Sequence, residues 1–157
     1  MSDLRDLPIV AQRNQPALLA VIMLGGNDAR RGGFRSLAEL VDTVTCDLFC
    51  LYHFLQASHQ RVLVVLPPPS PEEDMAGFLE DLHTSLKNSL PCADVIGMCP
   101  DLTLGQGYSA NSSMFRKLRN GRLDIHLNHQ GASKLRRHLR SHMRRALLQL
   151  LQPMLCH

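Results

Sequence analysis

Aromatic side chains are scarce in this chain. They make up 4% of its 157 residues, tryptophan is absent, and Tyr52 and Tyr108 are the only tyrosines. A protein that grips single strands by stacking bases on aromatic platforms would need more of them. Long apolar runs are missing too: no stretch reaches the roughly 18 to 20 uninterrupted apolar residues of a membrane span. The opening Met1-Ser2-Asp3-Leu4-Arg5-Asp6 is too charged for a signal peptide, so a soluble, cytoplasmic protein is expected. The five cysteines, Cys46, Cys50, Cys92, Cys99 and Cys156, are odd in number and lack zinc-type spacing. This argues against a disulfide framework or a metal knuckle and predicts reduced, mostly buried thiols, with Cys46 and Cys50 in the core. No cofactor is implied.

Acid is also missing from one end. Residues 1–124 hold 11 Lys+Arg against 14 Asp+Glu, whereas residues 125–157 hold six Lys+Arg and no acid, within a net charge of +3. The cluster Lys134, Arg136, Arg137, Arg140, Arg144 and Arg145 can attract phosphate or an acidic surface. It can equally be a solvated helix face with cations toward its C-terminal half.

With 45% apolar residues the chain can bury a core, and one domain is expected over 17–152, between a polar lead-in at 1–16 and a short tail at 153–157. The run Ala17 to Leu24 predicts a buried strand. Ser36 and Glu39 have capping-box spacing ahead of a stripe running from Leu37 to Leu55, which predicts a helix to about Ser58. Val62 to Leu66, stopped by three prolines, is a second strand. Ser70-Pro71-Glu72-Glu73 predicts the start of a helix that ends before Pro91. A weaker strand comes next over Asp94–Met98, then a Gly-, Ser- and Asn-rich loop from Pro100 to Asn120, and a closing helix at about Ala132–Leu151. The alternation of strand and helix implies parallel strands joined by right-handed crossovers. The predicted class is α/β, a flavodoxin-like three-layer α/β/α sandwich with three clear strands; because such open sheets commonly have about five strands, an N-terminal βα portion is expected to be missing or to lie in another chain.

Two places in this frame carry chemistry. Gly25-Gly26-Asn27-Asp28 ends the first strand, where open α/β sheets place ligands; Asn27 offers an amide donor, or else makes an Asx-type turn with Asp28. Asp124-Ile125-His126-Leu127-Asn128 precedes the last helix, and His126 suits proton transfer near neutral pH. Arg30 and Arg31 near the first place could hold a carboxylate or phosphate, or simply solubilise a loop. His138 and His142 have i,i+4 spacing but no acidic partner nearby, so solvated positions on a basic face are expected.

Together, Gly25-Gly26-Asn27-Asp28 behind a hydrophobic strand and Asp124-Ile125-His126-Leu127-Asn128 followed by Gly131 and a helix resemble two blocks of the SGNH (GDSL-type) hydrolases. The resemblance spans about residues 17–150. It implies an oxyanion asparagine at Asn27, substrate-facing backbone at Gly25 and Gly26, and a catalytic histidine at His126. The basic, acid-poor ending is also similar to SGNH-type esterase domains of retroelements. Three departures stand beside it. There is no Gly-Asp-Ser and no nucleophile elbow, the glycine of the second block has no counterpart, and the triad acid, usually three residues before the histidine, falls on Leu123. Asp124, two before, is retained as the candidate that orients the imidazole. Ser36 and Ser70 read as helix caps, and Ser109, Ser112 and Ser113 have no helix start behind them.

Two functions are expected. One is an SGNH-type esterase or acyl hydrolase-like domain, incomplete and of low or no activity for want of the nucleophile. The other is a non-catalytic remnant that binds RNA or an acidic partner through its basic C-terminal helix.

Overall fold

The computed structural model describes residues 17–27, 33–71, 75–105 and 107–155. The lead-in 1–16, Asp28, Arg30, Arg31, Glu72, Glu73 and Cys156 lie outside these. A parallel sheet is built from β1 (Ala17–Ile22), β2 (His59–Val65) and β3 (Val95–Ile96) in the order β1-β2-β3. Helix α1 (Leu37–Gln56) joins β1 to β2, and α2 (Ala76–Ser89) joins β2 to β3. A separate antiparallel hairpin of β4 (Phe115–Lys117) and β5 (Leu123–Leu127) leads into α3 (His129–Leu155). The described fold is thus mixed α/β, with a three-stranded parallel sheet and three helices. Among the described residues no helix is long and apolar enough to cross a membrane.

Strand order moves in one direction across the sheet, and right-handed crossovers then put both connecting helices on the same face. The packing agrees. Alternate residues Ala20, Ile22, Val62 and Val64 share a core with Val41, Val44, Leu48 and Tyr52 of α1 and Phe78, Leu79, Leu82 and Leu86 of α2. The other residues, Leu19, Leu63, Val65 and Ile96, meet Leu139 and Ala146 of α3. Two-residue alternation on the strands therefore divides the sheet between two helical layers. Helix α3 runs back along the sheet. Near its start His138 Nε2 lies 3.3 Å from the Gly97 carbonyl, just past β3, while Gln149 accepts a hydrogen bond from Arg61 near the beginning of β2. Arg61 Nε is also 2.9 Å from Asp94 Oδ1, and the Tyr52 hydroxyl donates to Asp94 Oδ2 at 2.6 Å, so one polar knot ties α1, β2 and α3 together.

Local chemistry explains the boundaries. Ser36 Oγ accepts from the Glu39 amide at 3.1 Å, as the predicted cap requires, while Glu39 reaches back to the Arg35 amide at 2.7 Å. The predicted start of α2 is displaced: its N-cap is Met75, which makes no side-chain cap, and Ser70 is buried well ahead of it. The segment after β3 does not form one long loop. Short 3₁₀ turns at Pro100–Leu102 and Ser112–Met114, then β4, occupy much of it. Helix α3 extends through the expected tail to Leu155. Among the described cysteines Cys46, Cys50 and Cys92 are exposed and Cys99 is buried, which corrects the expectation of mostly buried thiols with Cys46 and Cys50 in the core: 46 and 50 fall on the outer side of α1, away from the Val44 and Leu48 stripe.

Candidate functional site

Gly25 leaves β1 with φ +98°, a left-handed conformation that glycine alone adopts easily. A Cβ there would also stand 2.8 Å from Val44 Cγ1, so the position demands glycine for space as well as for backbone angle. Gly26 is pressed against Pro67, whose Cβ would lie 3.2 Å from an added Cβ. The turn is therefore wedged between α1 and the exit of β2, at the edge where all three parallel strands finish. Asn27 comes next, exposed and in helical conformation.

The second place is a strand. His126 and Asp124 both lie in β5, and residues two apart on a strand point to the same side. Their side chains meet accordingly: His126 Nδ1 is 2.9 Å from Asp124 Oδ1. The hydrogen bond from His126 holds the Asp124 carboxyl below its ordinary value, against the opposing effect of desolvation. The imidazole is 65% exposed and the carboxylate 20%. A carboxylate accepting from Nδ1–H leaves the lone pair on Nε2, the form a general base needs.

Asn128 secures this strand to the start of α3. Its Oδ1 accepts from the Gly131 amide at 2.9 Å, capping the helix, while its Nδ2 donates to the carbonyls of Ser113 at 2.7 Å and Phe115 at 3.2 Å. Gly131 sits so close to the preceding turn that a Cβ would fall 2.3 Å from the Met114 carbonyl oxygen. Hairpin and helix start are thus locked by one amide and one missing side chain. A small apolar cluster of Cys99, Leu102, Met114 and Phe115, with Leu123, Leu127 and Leu135 against it, lies beneath.

One pairing is invisible in the sequence. His83 of α2 is 2.7 Å through Nδ1 from the Tyr108 hydroxyl, 25 residues away, and its Nε2 is buried without a partner. Burial, helped by the charge of Lys87, pushes this imidazole below its ordinary value, so the ring is held neutral. His138 and His142, expected in solvated positions, are half-buried: their rings meet edge-to-face with centroids 4.7 Å apart, and His138 reaches the Gly97 carbonyl. Lys134 is drawn to Asp101 at 3.2 Å.

The structure therefore brings Asp124 and His126 into direct contact. Gly25, Gly26 and Asn27 stand at the exit of β1, on the sheet edge where the parallel strands end. Among the described residues no serine or threonine hydroxyl hydrogen-bonds His126. Comparison with protein-family models, with curated proteins and with solved structures gave no match.

Proposed function

We propose that the chain is an SGNH-type esterase-like domain in which His126 is the general base, Asp124 orients it and Asn27 donates to a developing oxyanion. The observation that carries this reading is the 2.9 Å Asp124–His126 contact with an accessible ring, because a fixed tautomer is what separates a poised base from an ordinary surface histidine. The glycine turn at the exit of β1 supports the second element, since it presents Asn27 at the strand-end edge where α/β sheets act. On this reading the sheet belongs to a flavodoxin-like sandwich; Leu18 and Val21 of β1, with Met23 and Leu24 just after it, are exposed.

The missing member is the nucleophile. With no hydroxyl among the described residues bonded to His126, the reading assigns to this chain the residual rate that a base and oxyanion donors give to water, several orders of magnitude below a complete triad. Hydrolysis of p-nitrophenyl acetate tests it. The expected result is a slow rate above buffer that falls about 100-fold in His126→Ala, the lower end of the range general bases contribute. A rate unchanged in His126→Ala, or no rate above buffer in the parent chain, would remove the assignment.

A further inference from the structure

The arginines of α3 form a surface apart from the Asp124–His126 pair. Arg137, Arg140, Arg144 and Arg145, with Ser141, Leu148 and Gln149, line an open, shallow groove of about 640 Å³ whose lining comes from α3 alone. We infer that this groove binds single-stranded nucleic acid through its phosphodiesters, without reading the bases.

Charge makes the first part of the case. No Asp or Glu occurs after Asp124, so α3 has no carboxylate of its own at i,i+3 or i,i+4 to neutralise an arginine. Among the described residues none of the four groove arginines makes an ion pair, whereas the neighbouring Lys134 is already committed to Asp101. Spacing makes the second. Arg137, Arg140 and Arg144 stand at i, i+3 and i+7, one row of guanidinium groups separated by rises of about 4.5 and 6 Å. Such a row can be followed by the successive phosphates of an extended strand, each met by a fork of N–H donors.

The rest of α3 argues against other polyanions. A helix that lies in a membrane surface needs a broad free apolar face opposite its cations, and here Leu135, Leu139 and Ala146 are spent against the sheet and the 3₁₀ turns. The exposed large apolar side chains among the described residues of the helix are Met143, Leu148 and Leu151, two of them beside the arginines rather than opposite them. An acidic protein partner ordinarily brings aromatic or aliphatic anchors into an apolar pocket, and Leu148 is the single apolar side chain of the groove. The groove also contains no aromatic ring, so bases have nothing to stack on; binding should be independent of sequence and strongly dependent on salt.

Fluorescence anisotropy with a fluorescein-labelled 12-nucleotide oligouridylate tests this. Four neutralised phosphates at the single-strand slope predict roughly a 50-fold loss of affinity between 50 and 200 mM NaCl. Arg140→Gln/Arg144→Gln should lower affinity at least about tenfold at 50 mM and make the log–log salt slope shallower by about 1.4, while Arg136→Gln, outside the groove, stays within about twofold. Melting curves matching the parent verify that the variants fold. Absent or salt-insensitive binding overturns the inference, as does an equal loss in Arg136→Gln. Polyglutamate competing as well as oligouridylate at equal charge, or tighter binding to phosphatidylserine vesicles, overturns the choice of ligand. His126→Ala should bind RNA as the parent does, so this inference and the esterase reading fail separately.

Discussion

The two histidine regions of this molecule are held by opposite means. Around His83 the sheet face under α1 and α2 is densely packed, with Leu79, Leu82 and Leu86 all at 0% exposure and the imidazole neutral between Tyr108 and Gly97. Around His126 the apolar support is a small cluster beneath a short hairpin, and position is set by a carboxylate, an asparagine cap and a glycine contact. Burial orients the first ring and costs it its charge; hydrogen bonding orients the second and leaves it open to solvent. The second arrangement is the one that can exchange protons with a ligand, which is why the region with the weaker core is the better functional candidate.

The contrast is tested most severely in the dense region. Leu82→Ala removes a side chain with no exposed surface and is expected to cost about 2–5 kcal/mol, read from urea unfolding. A loss below about 1 kcal/mol would mean that the α1/α2 layer is far less tightly packed than its burial implies.

In the hairpin region the corresponding test is Gly131→Ala. In an ordinary exposed helix this exchange stabilises by about 1 kcal/mol, through helix propensity. Here the new Cβ would meet the Met114 carbonyl oxygen at 2.3 Å, a backbone atom that cannot swing aside as a side chain would. The clash is expected to reverse the sign, giving about 1–3 kcal/mol of destabilisation by overpacking. It should also weaken the hairpin's hold on Asp124 and His126, visible as a shift of the His126 imidazole resonances. A stabilised variant with unchanged resonances would show that the latch does not position the pair.

How much of the molecule is legible in its sequence depends on whether the signal is local. The Val62–Leu66 run, the Ser36 cap and the Gly25-Gly26 turn carry their reasons within a few residues, and each element stands close to its expected place. The start of α2 lies beyond its expected place because Ser70-Pro71 has the residue types of a cap, yet the chain continues to Met75 before turning helical. The hairpin is hidden for a different reason. β4 has three residues, too few for a period-two pattern, and its pairing with β5 is irregular between Phe115 and Lys117. In a loop, the spacing of Asp124 and His126 is one residue short of the family's pattern; on a strand it is the spacing that puts both on one side. The His83–Tyr108 bond depends on tertiary packing alone and leaves no trace in sequence.

The gentlest test uses pH. His83 has a folded value lowered from about 6.5 by burial and then by Lys87, so the unfolded chain binds the proton more readily. Stability from this group is complete above 6.5 and is lost as pH falls from there through the lower folded value. His142, lowered first by burial and then by His138 and Arg145, adds to the same window. Asp124 is lowered from 3.8 by its hydrogen bond to His126, so its contribution persists above 3.8 and disappears only as pH drops through the still lower folded value. The two regions should therefore respond in separate ranges of a stability–pH curve. His83→Gln is expected to flatten the upper step and leave the acid one, and Asp124→Asn the reverse. An upper step that survived substitution of both His83 and His142 would mean that burial does not hold these rings neutral.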